Sequence, residues 1–237
     1  MSDGFQLSVA YTFAKATDWW AGNIAIPEFW QLNKGDQSNS TPHKLDVSAI
    51  YELPFGAGKP FLNRGGVVAT LAGGWQVNAL LSARSGTPFT ITASDASLNA
   101  PGSGQRADQI NPAAILGGVG PDTPYFDVTA FAPVTEARFG NAGVNTLRGP
   151  GAVNLDAGLF RTFAVTSGVN LQFRLEVFNV TNRANFLNPS GTNVSNLQLN
   201  PDGSVRALNG FGVITGTNAL GREYAERYAR LGLRLSF

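Results

Sequence analysis

Hydrophobic and polar residues alternate along six stretches of this chain. The first sets Phe5, Leu7, Val9, Tyr11 and Phe13 against Gln6, Ser8, Ala10, Thr12 and Ala14. The second sets Leu45, Val47, Ala49, Tyr51 and Leu53 against Lys44, Asp46, Ser48, Ile50 and Glu52. In the third, Trp75, Val77, Ala79, Leu81 and Ala83 alternate with Gln76, Asn78, Leu80, Ser82 and Arg84, and the phase runs on past Ser85-Gly86-Thr87-Pro88 to Phe89 and Ile91. Val153, Leu155, Ala157 and Leu159 mark the fourth, and Leu171, Phe173, Leu175 and Val177 the fifth. The last is Leu231, Leu233, Leu235 and Phe237, with Gly232, Arg234 and Ser236 between them. Side chains of a strand point to opposite faces with a period of two. The pattern therefore predicts strands near 4–14, 43–54, 74–92, 152–163, 169–180 and 224–237.

Each stretch has about the 9 to 11 residues that a tilted strand needs to cross a bilayer. The connections are lopsided. Ala164–Gly168 is a tight turn, and 54–74 is a longer link on the same side, with a short helix over Val67–Ala72. The other side carries long loops at 15–42, 93–151 and 181–223, the arrangement of a membrane barrel with short inner turns and long external loops. Tyr11 and Phe13 would sit near the outer ends, and Tyr51, Phe55 and Trp75 near the inner ends, as aromatic girdles do. The pattern predicts an all-β, transmembrane antiparallel β-barrel sheet, with the odd-numbered residues of the first three runs facing outward. A soluble β-sandwich binding module, for example for carbohydrate, is the alternative. It would bury those faces against a second sheet, whereas a barrel leaves them as an outer belt.

Composition removes other classes. Charged residues are 14 % and the net charge is +1, so no clustered basic surface marks a nucleic-acid partner. No run approaches the roughly 18 apolar residues of a membrane helix. With no cysteine and one histidine, disulfides and thiolate chemistry are excluded, Cys/His zinc sites nearly so, and no catalytic constellation is left. Neither enzyme activity nor a cofactor is expected. Met1–Gln6 carries no basic and apolar leader pattern. Gly56-Ala57-Gly58-Lys59 lacks phosphate-loop spacing and reads as an inner turn, because Pro60 follows the lysine. His43 reads as a rim residue, and Asp95, Asp108, Asp122 and Asp127 lack the spacing of a calcium loop.

The charges opposite the apolar positions are the main candidates for function. Lys44, Asp46, Glu52, Arg84, Asp156, Arg174, Glu176, Glu226, Arg230 and Arg234 share that phase. Cations facing lipid at mid-depth cost about 2 to 4 kcal/mol each, so these residues should line the lumen, paired with one another, with a plug or with substrate. In the long segment 93–151, Tyr125, Phe126 and Phe131 are candidates for ligand contact over the mouth. Phe237, a terminal aromatic on an alternating strand, is a candidate assembly signal.

Several motifs run through nearly the whole chain in order. They are Leu53-Pro54-Phe55-Gly56-Ala57-Gly58-Lys59, Gly74-Trp75-Gln76 and Ser85-Gly86-Thr87-Pro88-Phe89, then Phe139-Gly140-Asn141-Ala142-Gly143 and Leu147-Arg148-Gly149-Pro150-Gly151. Phe173-Arg174-Leu175-Glu176-Val177-Phe178-Asn179-Val180-Thr181-Asn182-Arg183, Phe211-Gly212-Val213-Ile214-Thr215 and the final strand complete the series. Together they resemble the C-terminal barrel region of TonB-dependent outer-membrane receptors, specifically the Oar-like branch with a carboxypeptidase-regulatory-like domain. Such receptors look like barrels of about 22 strands, filled by an N-terminal plug. The resemblance implies that residues 1–237 are a single, incomplete domain holding the last six strands. Plug, TonB box and signal peptide would lie elsewhere. It further implies outer-membrane lipid, the barrel assembly machinery and, through the missing plug, the TonB system as partners. The function implied is import of a scarce nutrient: a small molecule, oligosaccharide or peptide. Barrels of a single bacterial chain need at least about eight strands, which agrees with the reading as a fragment.

Overall fold

The computed structural model describes residues 4–19, 22–64 and 66–237. Its centre is one six-stranded sheet of β1 (Phe5–Phe13), β2 (His43–Glu52), β3 (Trp75–Arg84), β4 (Ala152–Thr166), β5 (Val169–Phe178) and β6 (Tyr228–Ser236). The strands neighbour one another in chain order and every pairing is antiparallel. A meander of this kind follows from local pairing of consecutive strands. β1 and β6 are the sheet's two edges.

Register sorts the side chains into two faces. Phe5, Tyr51, Val77, Leu159, Leu175 and Leu231 lie in one row across the sheet, and Leu7, Ala49, Ala79, Ala157, Val177 and Ala229 in the next. The apolar face is open to its surroundings. Val9 is 59 % exposed, Phe13 66 % and Leu231 69 %, so no second layer covers them. A sandwich would hold a second sheet about 10 Å away and bury these residues. The soluble alternative fails on that observation. Among the described residues no helix is long and apolar enough to cross a membrane.

At the inner end, β4 and β5 join through a short turn at Ser167-Gly168, with a bulge between Ala164 and Thr166. The 53–74 link holds the predicted helix, α1, at Val67–Ala72. Gly56 and Gly58 take positive φ of 104° and 74° there, the conformation for which glycine is suited. That makes Gly56–Lys59 a turn, not a phosphate cradle.

At the outer end the structure departs from the pattern. β3 stops at Arg84 instead of running to residue 92. Gly86 packs so close to Gly149 that a Cβ would meet its carbonyl oxygen, and Pro88 has no N–H to continue a ladder. Pro88–Phe89 instead pairs with Leu147–Arg148, and Phe89 and Ile91 turn into a separate core. β4 runs three residues past the predicted end, and β6 begins at Tyr228, not 224. The long connections are not loose either. Segments 85–151 and 179–227 together build a hydrophobic core around Phe126, Phe131, Phe211, Ile91 and Ile214. This outer cap sits on the end of the sheet marked by His43, Arg84 and Ala152.

Candidate functional site

The polar face carries the predicted lumen residues in register. Lys44 lies opposite Arg84, Asp46 opposite Ser82, and Asp156 opposite Leu80. Arg174, Glu176, Arg230 and Arg234 occupy the same face of β5 and β6. Glu226 does not: it is exposed and precedes β6, where the bend 225–226 takes the chain out of the alternating wall.

An ion-pair ladder is only partly formed. Lys44 Nζ stands 3.1 Å from Asp46 Oδ2, and Ser82 Oγ donates to Asp46 Oδ1 at 2.5 Å. Glu52 pairs with Lys59 of the inner turn at 2.9 Å, tying that turn to β2. Arg230 Nη2 bonds Glu223 at 2.7 Å, above the strand, although Glu176 is its cross-strand neighbour. Outside the strands, hydrogen bonds from Tyr224 and Arg230 hold the Glu223 carboxyl below its ordinary pKa. Arg174 lies over Phe160, its guanidinium 5.5 Å from the ring centre.

One buried cation enters this face from outside the sheet. Asn218 Oδ1 accepts from the Leu220 N–H, and the turn carries Arg222 inward. Its Nη1 donates to Asn154 Oδ1 at 2.5 Å and stands 3.5 Å from Asp156 Oδ1. The side chain is only 9 % exposed. A cavity of about 250 Å³ lies here, lined by Lys44, Ser82, Arg84, Asn154, Asp156 and Arg222 among others. The alternation gives no hint of Arg222, because it comes from an aperiodic loop.

Tyr125, Phe126 and Phe131 form the centre of the cap, not its ligand-facing surface. Phe126 has no exposed surface and packs edge-on against Phe131 at 5.8 Å and Phe211 at 5.5 Å. The Tyr125 hydroxyl donates to the Arg148 carbonyl at 3.1 Å, and burial raises its pKa. Fully enclosed rings cannot touch a solute, so the sequence-based assignment of these three is corrected. The outer connections 15–42 and 85–151 are stitched together by polar groups. Arg148 pairs with Asp36 and donates to the Ser40 and Gly86 carbonyls at 2.9 and 3.1 Å. Arg106 Nη1 donates to Leu32 O at 2.9 Å, and Asn145 Nδ2 to Asp36 O at 2.6 Å. Arg138 grips Asp108 with two nitrogens at 2.6 and 2.9 Å, and this holds the Asp108 carboxyl below its ordinary pKa. An apolar cleft of about 550 Å³ opens in the cap beside Trp19, Ile24 and Trp30, with Lys34 over the Trp19 ring.

The apolar face has one charged exception. Arg161 lies in the row of Trp75, Phe173 and Leu233, yet it is 7 % exposed. It bonds the carbonyls of Thr70 and Leu71 at the end of α1 and stacks on Phe163 at 4.1 Å. Trp75 Nε1 also donates to Leu71 O, at 2.9 Å. Backbone oxygens beside the inner aromatic girdle thus satisfy the two terminal nitrogens of Arg161, while its Nε is buried without a partner among the described residues. At the opposite rim Tyr11 shares a 2.7 Å hydrogen bond with His43, which packs on Phe13 as well. Phe237 is fully exposed beyond β6.

No group of His, Cys, Asp and Glu among the described residues is arranged to hold a metal ion. A family model described as an outer membrane beta barrel domain matches residues 1–225. The chain belongs to that family. Its exposed apolar belt, polar opposite face and aromatic rims are what a wall between lipid and water requires, and the outer membrane is its location. The match covers β1 to β5 and stops just before β6. No curated protein and no solved structure matches the chain.

Proposed function

We propose that this outer-membrane barrel domain is the C-terminal wall and outer cap of a TonB-dependent transporter of the Oar-like kind, importing a scarce nutrient with inner-membrane energy. The observation that carries the reading is the folded cap. Segments 85–151 and 179–227 share one core, and polar contacts tie 15–42 to 85–151 above a charged face, a structure suited to capture of a solute rather than to passive diffusion. The motif series from Leu53-Pro54-Phe55 to Phe211-Gly212-Val213 supports the family assignment in the same direction. A Trp-lined cleft supplies flat apolar surface of the sort that binds a sugar ring or an apolar side chain, which keeps oligosaccharide and peptide as the leading solute classes.

On this reading β1 and β6 pair with further strands of the same receptor, because open ladder edges have no partner in lipid. Phe237 serves as the terminal aromatic read by the barrel assembly machinery. Neither enzyme chemistry nor a cofactor is part of the proposal. The test is uptake. Cells lacking the full receptor and cells lacking TonB should lose import of the same solute, measured with labelled nutrient extracts. Import that persists without TonB would refute the transport mechanism.

A further inference from the structure

We propose that Lys44, Arg84 and Arg222 form a carboxylate-binding subsite on the polar face, just beneath the outer cap. The inference rests on the reading that this face lines the lumen. It starts from an electrostatic imbalance. Lys44 and Arg84 are directly opposed in the β2–β3 register, and like charges in that position repel. Asp46 partners Lys44, but no carboxylate among the described residues partners Arg84. Arg222 closes the third side. Its Nη2 is buried without a hydrogen-bond partner, although Nη1 and Nε are used. A buried guanidinium N–H left unmade costs free energy, and it marks a place where an acceptor belongs.

Charge and size narrow the acceptor. Asp156 is the one acid in the cavity wall, and it also accepts from the Asn179 N–H at 2.8 Å. With Asp46 offsetting Lys44, the surplus is close to one positive charge, which a single carboxylate neutralises. A dianionic phosphate would overshoot and face Asp156. The cavity, about 250 Å³, is below the roughly 300–1,000 Å³ of a pocket for a whole small ligand. It therefore suits one end of a larger solute. Guanidinium groups bind carboxylates through paired N–H donors, and Arg84 and the free Nη2 of Arg222 supply such donors. The carboxylate could belong to an arriving solute or to an acidic side chain from elsewhere in the receptor; the recognition chemistry is the same.

The test uses the full receptor, folded in detergent, with trifluoroacetate as a fluorine-NMR probe and acetate as competitor. A site open to solute gives a saturable shift of the probe that acetate reverses. Arg222→Gln should weaken it about tenfold, the loss of one charge-assisted hydrogen bond, and Arg84→Gln several-fold. Asp156→Asn should tighten it, a change of opposite sign that damage to the fold would not produce. Arg84 is an exposed edge of the cavity, so its variant keeps the test sound where Arg222→Gln fails to fold. A site already filled by the receptor's own carboxylate gives no probe binding, and Arg84→Gln then lowers the thermal midpoint of the receptor. No probe binding together with an unchanged midpoint in Arg84→Gln overturns the subsite, as does binding that all three substitutions leave alone. Neither readout involves uptake, so failure here is distinct from failure of the TonB-dependence test.

Discussion

Exchanging Val47 for Arg should destabilise the barrel strongly, while the same exchange one residue later should not. β2 has ten residues, about 33 Å of chain at roughly 3.3 Å per residue. Tilted by about 40°, it spans about 25 Å, the height of the apolar band of a membrane barrel. Val47 is the fifth residue of β2, within a few ångström of the midplane, and lies in the row of Val9 and Leu81. An Arg there costs about 2 to 4 kcal/mol, roughly a 30- to 700-fold shift in the folding equilibrium at 1.4 kcal/mol per tenfold. Ser48→Arg points to the other face, where Asp156 and Glu176 line the same cavity. That variant should stay within about 0.5 kcal/mol of the parent. Equilibrium urea titration of the full receptor folded into vesicles, read by heat-modifiable mobility, gives both values. Equal costs, or a larger cost at 48, would refute the assignment of faces.

Other outcomes follow from the cap and the inner turn. Phe126→Ala empties the centre of the cap and should cost about 3 to 5 kcal/mol locally, seen as new protease cleavage within 93–151 while the strands stay protected. Arg161→Leu frees the Thr70 carbonyl and leaves Leu71 O to the Trp75 indole alone, so amide exchange across 66–73 should rise about tenfold or more; unchanged exchange would show that the clamp is idle. Asp108 has a lowered pKa in the folded cap, so its contribution is full above the ordinary value near about 3.9 and is lost as pH falls through the folded value. Cap stability measured by proteolysis should therefore hold from neutral pH to about pH 4 and fall below it. Asp108→Asn should start lower and show a shallower acid fall.

The strands were legible because lipid on one face and water on the other impose a period of two, and β1, β2 and β5 obey it along nearly their whole length. The shared face of the strand charges was legible for the same reason, Glu226 excepted, since charge and face are coupled wherever lipid lies on one side. Phe89 and Ile91 misled because their parity continues that of β3, although Gly86 and Pro88 between them end the strand. Tyr125, Phe126 and Phe131 misled differently. Their segment is aperiodic, and nothing local says that aromatics from 85–151 meet Val194, Phe211 and Ile214 from another connection. Removing 97–123 would consequently take Gln105, Arg106 and Ala107 out of the cap's buried interior. Arg161 breaks the parity rule outright, and only the carbonyls of α1 explain it. Arg222 reaches the polar face from a turn whose geometry depends on Asn218 and a positive φ at Leu220.

The most direct measurement is the side-chain environment along β5. Single nitroxide labels at 171 through 177 in the full receptor in vesicles, read by collision with oxygen and with a water-soluble nickel complex, sample both faces in one strand. Positions 171, 173, 175 and 177 should favour oxygen, and 172, 174 and 176 nickel, with a strict period of two. Equal accessibility throughout, or nickel dominant at the odd positions, would contradict a lipid-facing apolar belt.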